Sequence, residues 1–357
     1  MAEIYKNFNA ADDIIVGDIQ VVSSPLWSEN VNPLSGGYAS GIGFFTSSTQ
    51  QQVAGNYYTD VYHRSPATST NAAVQFAIAY GNRNGSGSVG DPNTVGQNAN
   101  DTPTRAVYSQ YRNLLLPPTD TAFTFGTGNA AVTPNDIFVI NINRARYRQK
   151  IDPGNWEIRI ASGSGHLSGS GGTGSYISLI DNSGANTDPS VGSAGRIFSI
   201  MSGSGGITTG SQVYGLFYPD AGVMIFNASL LSSSLGMAPT TEFNTGAASN
   251  TVKNAVSLFS RISASSYFAA RSEEKVNSTH YFVRITNKQF NFSNNPTFVS
   301  GSNGTFVHTS MLRNPSVYVT SIGMYDDQNR LLAVAKLSQP LLKTFNREVL
   351  VKVKLDY

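Results

Sequence analysis

The four histidines of this chain, His63, His166, His280 and His308, are its most adaptable groups for proton transfer or metal ligation, and their spacing favours neither. No pair falls at the one-turn helical interval that lets two imidazoles share a metal, and no carboxylate pair adjoins them. Their plain reading is imidazole on a surface or strand face. Two Gly-x-Gly-x-x-Gly strings occur, at Gly85–Gly90 and Gly169–Gly174. A dinucleotide loop needs a strand before it, a helix after it and an acidic residue about twenty positions on. Neither string opens a helical pattern, and a chain with 34 glycines produces such strings by chance. No Walker loop, no Gly-x-Ser-x-Gly elbow and no carboxylate pair suited to glycoside hydrolysis stand out. The expectation is a protein that is not an enzyme and uses no cofactor or metal.

Two other groups point to binding. Arg144, Arg146, Arg148 and Lys150 alternate with Ala145, Tyr147 and Gln149, which on a strand puts four cations in one row. Such a row suits an acidic protein surface or a nucleic-acid backbone, and it also fits a solvated sheet face or arginines bonding loop carbonyls. A net charge of only +2 argues against nucleic acid. Trp27 and the pairs Phe44-Phe45 and Tyr57-Tyr58 could stack on sugars, although aromatic residues in β-proteins usually serve a core or an interface. Asn227-Ala-Ser229 and Asn277-Ser-Thr279 match the glycosylation pattern, but the opening Met1-Ala-Glu-Ile-Tyr-Lys6 shows no secretory signal.

The elements that must position these residues read as strands. Val349, Val351, Val353 and Leu355 alternate with Leu350, Lys352, Lys354 and Asp356, the period of a half-buried strand that runs almost to Tyr357. Such a strand must be paired, within the chain or across a subunit boundary. Before it, Ser316–Met324 and Leu331–Leu337 flank the turn cluster Asp326–Asn329, giving three antiparallel strands with a break at Pro340. Further upstream, the strand pattern covers Ile14–Val22, Tyr57–Tyr62, Asn71–Tyr80 and Asp136–Ile142. Trp156–Ile160, Tyr176–Ile180, Arg196–Met201, Val213–Tyr218 and Val223–Phe226 form one meander, entered from a turn at Asp152–Asn155 and closed by the turn Pro219–Gly222. Tyr267–Ser272 and His280–Ile285 flank a charged turn at Glu273-Glu274-Lys275. Helical spacing appears at Thr104–Leu115, with Val107, Tyr111 and Leu114 on one face. It recurs at Asn250–Ile262, with Val252, Ala255, Val256, Phe259 and Ile262 aligned and Ser249 or Asn250 as cap. A polar loop occupies Gly81–Thr102.

This defines a mainly β chain with antiparallel sheets of sandwich or meander type and a few short helices. Its 357 residues divide into an N-terminal β and loop region (1–103), a central antiparallel domain with Gly/Ser-rich loops (104–247), and a C-terminal helix plus sheet (248–357). Charged residues make up 13% of the chain, and 17 Tyr and 19 Phe speak against disorder, so its surface is neutral and polar, suited to a subunit among neighbours. There is no cysteine, hence no disulfide or thiolate site. No apolar run reaches the roughly 18 residues of a membrane span.

Several segments together resemble structural proteins of tailed bacteriophages, especially myoviruses, including phages of cyanobacteria. They are Tyr111–Pro118, Asp136–Tyr147, Lys150–Glu157, Ser278–Arg284, Asn291–Pro296 and Val319–Ser338, the last similar to a phrase in tail-fibre and baseplate components. The resemblance covers roughly 105–160 and 270–357 and brings no active-site residues. It implies a virion subunit made in the host cytoplasm, present in several copies, and held by other virion proteins of a contractile tail or baseplate. The expected contact residues are Arg144, Arg146, Arg148 and Lys150 and the terminal strand residues Val349, Val351, Val353, Leu355 and Tyr357. Nucleic acid and membrane are not expected as partners. A receptor- or glycan-binding fibre module, or a capsid decoration or neck protein, is the alternative; glycan stacking on the aromatic rings of that reading would require Trp27 or the Tyr57-Tyr58 pair to line an open groove.

Overall fold

The computed structural model describes residues 5–27, 45–46, 57–88, 102–163, 175–186, 188–239, 241–244, 253–265, 267–293, 295–301 and 303–357. Phe44, His166, the string Gly169–Gly174, the end of the string Gly85–Gly90, most of the polar loop, and the helix residues Ser249, Asn250 and Val252 lie outside them.

In chain order the strands begin with β1 (Ile14–Val16), β2 (Gln20–Pro25), β3 (Tyr58–Tyr62) and β4 (Val74–Asn82), followed by helix α1 (Pro103–Leu115). Then come β5 (Asp136–Ile142), β6 (Lys150–Ala161), β7 (Tyr176–Asp181), β8 (Ser190–Gly192), β9 (Gly195–Ser204), β10 (Ile207–Tyr218) and β11 (Val223–Asn227). Helices α2 (Ala228–Leu235) and α3 (Asn254–Ser265) precede β12 (Phe268–Val276) and β13 (Ser278–Ile285). The chain finishes with β14 (Val299–Ser300), β15 (Thr305–Phe306), β16 (Val317–Tyr325), β17 (Leu331–Lys343) and β18 (Val349–Asp356). The protein is mainly β, with large antiparallel sheets and, among the described residues, three short α-helices.

Contacts divide the chain into two units, Val22–Glu274, and Met1–Val21 together with Lys275–Tyr357. These seams lie elsewhere than the compositional ones at 103/104 and 247/248, because pairing of β4 with β5 crosses the first and pairing of β6 with β12 crosses the second.

The larger unit is built on a sheet in the order β2-β12-β6-β7-β9-β10-β11-β5-β4-β3, with β8 hung on β9. Its run β6-β7-β9-β10-β11 is the meander read from the sequence, each strand paired antiparallel with the next. Strands β4, β5 and β11 are buried on both faces. Phe138, Ile140 and Ile142 point to a core that includes Leu231 and Leu235 of α2 and Ala255, Leu258 and Ile262 of α3. On the opposite face, Ile137 and Val139 meet Tyr108, Tyr111 and Leu115 of α1 with Phe123 and Phe125. Gly81 lets α1 approach, since a Cβ there would lie 2.9 Å from the Tyr108 backbone nitrogen. Trp27 lies 5.5 Å from Phe76 of β4 and 4.8 Å from Phe268 of β12, ring centre to ring centre. Those strands stand near opposite ends of the sheet order, so the sheet curls until one indole spans both.

Several expectations are corrected here. Asp152–Asn155 does not reverse the chain: β6 continues through it, pairing Ile151 with Ser272 and Trp156 with Ala270, so the segment is a bulge with Gly154 at φ 80°. Glu273 and Glu274 are not a turn but part of β12, where Glu273 faces Lys150. Ile14–Val22 is split into β1 and β2. The buried face of α1 is Thr104, Tyr108, Tyr111 and Leu115, a spacing of four, three and four residues that keeps one stripe inward and leaves Leu114 exposed. Helix α2 escaped the sequence reading, although Asn227 caps it by accepting from the Leu230 N–H at 3.1 Å and Gly236 ends it at φ 63°.

In the smaller unit, β1-β13-β18 form one antiparallel sheet and β16-β17 a hairpin. Val349, Val351, Val353 and Ile285 from the sheet pack with Met324, Ile322, Ala333, Leu337 and Leu341 from the hairpin. The turn at Asp326 is held by its carboxylate, which accepts from the Gln328 and Arg330 backbone N–H groups and from Arg330 Nε. The strand expected to stop at Pro340 runs on to Lys343, since an edge strand tolerates the missing donor.

Candidate functional site

The terminal strand behaves as its alternation requires. Val349, Val351 and Val353 are buried, Leu355 is half-buried, and Leu350, Lys352 and Lys354 are exposed. Its partner is in the same chain: β18 pairs with β13 from Ile285↔Val349 to Ser278↔Asp356, and Asn277 and Tyr357 exchange backbone hydrogen bonds at 2.9 Å in both directions. That exchange fixes the phase of the ladder. Residues 349, 351, 353 and 355 bond inward to β13, so the N–H groups of Leu350, Lys352 and Lys354 face the other edge. No described strand pairs with that edge.

Side chains hold the edge in place. Ser278 Oγ donates to Asp356 at 2.7 Å, and Lys354 Nζ lies 3.0 Å from the same carboxylate, holding Asp356 below the usual carboxylate range. Thr279 and Tyr357 hydroxyls are 3.1 Å apart. No described strand pairs with the outer edges of the hairpin either, and Tyr318, Leu332 and Val334 are exposed by 60% or more on its outer face.

The cationic residues do not form a row. Arg144–Arg146 is a turn of 3-10 helix, capped by Asn143 accepting from the Ala145 N–H, because the strand ends at Ile142. Arg144 sits 4.5 Å over the Tyr147 ring and donates to the Tyr147 carbonyl at 3.2 Å. Arg148 is exposed and pairs with Glu274 at 3.0 Å. Lys150 is buried in β6 with Nζ 2.6 Å from Glu273 Oε1. Alternation had the right period, but Asn143 and the 3-10 turn break the strand that would have aligned it.

Trp27 is no sugar platform, being buried with its indole N–H donated to the Phe268 carbonyl at 2.6 Å. Tyr57 and Tyr58 are half-buried, their rings 5.5 Å apart. His63 lies beside Ala73, and His280 is in β13 opposite Lys354. Among the described residues no cluster of three or more His, Asp or Glu could hold a metal ion. Among the described residues no helix is long and apolar enough to cross a membrane. Comparison of the chain with protein-family models, curated proteins and solved structures finds no match.

Proposed function

We propose that this chain is a non-enzymatic structural subunit of a bacteriophage virion, of a contractile tail or baseplate, joined to its neighbours through sheet edges. The observation that supports this most is the outer edge of β18, a regular eight-residue strand paired on one side only. An edge of that length is a template for a further strand, and main-chain hydrogen bonds along it would bind a neighbour with little demand on side-chain identity. Large antiparallel sheets, a low charged fraction and exposed apolar residues on the hairpin all suit a surface meant to be covered.

The test uses the phase of the ladder. Lys352 places its N–H on the free edge, so Lys352→Pro removes a donor there and leaves the bonds to β13 intact. The chain is tagged and produced in cells assembling particles. The expected outcome is that the wild-type chain cosediments with particles, whereas Lys352→Pro folds with an unchanged circular dichroism spectrum and is left behind. A wild-type chain that never enters particles would refute the virion role, and equal incorporation of the proline variant would refute the edge.

A further inference from the structure

On the face of the larger sheet where α1 packs, a groove of about 910 Å³ lies between the 119–133 segment, Asn182, Asn186 and Ser190, and strands β9 and β10. This volume is in the range of small-molecule and short-oligomer sites. Its chemistry is one-sided. Thr121, Thr124, Asn182, Ser199 and Ser211 exemplify a lining of hydroxyls and carboxamides, and its two charged side chains, Arg83 and Asp120, are of opposite sign. Beneath them run Ile197, Val213 and Leu216, half-buried against the core.

The walls are held in advance. Phe125 and Val132 exchange backbone hydrogen bonds at 2.9 and 2.8 Å, and the hydroxyls of Thr124 and Thr133 lie 3.0 Å apart, closing the first segment on itself. Asn182 is fixed from both ends: its carbonyl accepts from the Ala185 and Asn186 N–H groups and its side chain from the Ser199 N–H at 2.9 Å. At the floor, Tyr218 is fully buried, and its hydroxyl has no hydrogen-bond partner among the described residues. Burial raises the Tyr218 pKa, so the group stays a neutral donor. A buried hydroxyl left unpaired costs stability that a leucine or phenylalanine would not.

We infer that this groove is a binding site for a neutral oligosaccharide. Each sugar ring carries apolar C–H faces and a rim of hydroxyls, matching an aliphatic strip bordered by hydroxyl and amide groups. An acidic glycan or nucleic acid would need a surplus of cations, and a peptide hot spot would need deep apolar or arginine anchors. The site belongs to the larger unit and does not depend on the assembly role.

The test is saturation-transfer NMR of the full-length protein with maltohexaose, chitohexaose and xylohexaose, and with hexagalacturonate as the anionic comparison. At least one neutral hexamer should bind, and hexagalacturonate should bind at least tenfold more weakly. Thr121→Val, which removes an exposed hydroxyl from the lining, should weaken binding about 5-fold. Ser211→Trp, at an exposed position, should fill the groove and abolish binding. Absence of transfer from all three neutral hexamers would overturn the inference. So would preference for the anionic one, or affinities unchanged in both variants.

Discussion

Arg261 is the largest fully buried side chain among the described residues, and its hydrogen bonds tie one segment to another. Its Nη1 donates to the carbonyls of Ala161 and Leu235, both at 2.9 Å, and its Nη2 to the Gly236 carbonyl and to Glu242 Oε2 at 2.7 Å. Truncation would remove four hydrogen bonds at once and leave the largely buried Glu242 carboxylate without its cation. Arg261→Ala should therefore destabilise by about 3–5 kcal/mol in chemical denaturation, far more than its lost contacts alone would cost. Glu157 is a second such centre. Burial would raise its pKa, but hydrogen bonds from Ser178, the Gly205 N–H, Arg159 and Ser204 outweigh this and hold it below 4.5. Because the folded value is the lower one, its contribution is present above the unfolded pKa and disappears as pH falls through the folded one. Stability of the wild type measured from pH 7 down to pH 2 should fall below about pH 4.5, and Glu157→Gln should lack that part of the slope.

The elements depend on a few terminating residues as much as on their apolar faces. Between β10 and β11, Gly222 adopts φ 69°, and a Cβ there would run into the Tyr147 hydroxyl, which itself donates to the Ala221 carbonyl at 2.8 Å. Gly222→Ala meets both left-handed backbone strain and a clash, and should cost about 1–3 kcal/mol, read as a lower unfolding midpoint. Helix α2 is short and polar on its exposed side, so its cap matters more than its propensity. Asn227→Ala should cost about 1 kcal/mol and raise hydrogen exchange in the first turn of α2. Much at this scale was legible in the sequence: the meander from 156 to 227, the hairpin turns at 219–222 and 326–329, and the alternation of β18. The two misread turns share one cause. Gly154 and the charges of Glu273 and Glu274 are turn residues by type, yet a bulge also uses a left-handed glycine, and a strand carries charge where a buried lysine such as Lys150 stands opposite.

At the scale of the molecule, each unit has its own apolar core. Val351 belongs to the smaller one, among Val349, Val353, Ile285 and Met324. Val351→Asp places an unpaired charge there, and hydrogen exchange should show β13 and β18 losing protection while β5 and β11, buried on both faces of the larger sheet, keep it. Equal loss in all four strands would mean that the chain unfolds as one cooperative body.

The sequence by itself determined the strand-rich class, the position of most strands, and which face of β18 turns inward, because a period of two is a local property that any half-buried strand must display. It did not determine which strands are neighbours. That Trp27 closes the curl between β4 and β12, that Lys150 meets Glu273 more than a hundred residues away, and that hydroxyls from three segments gather around Tyr218 depend on long-range pairing. Tertiary structure alone decided these, since main-chain hydrogen bonds are the same for every strand and packing selects the partner.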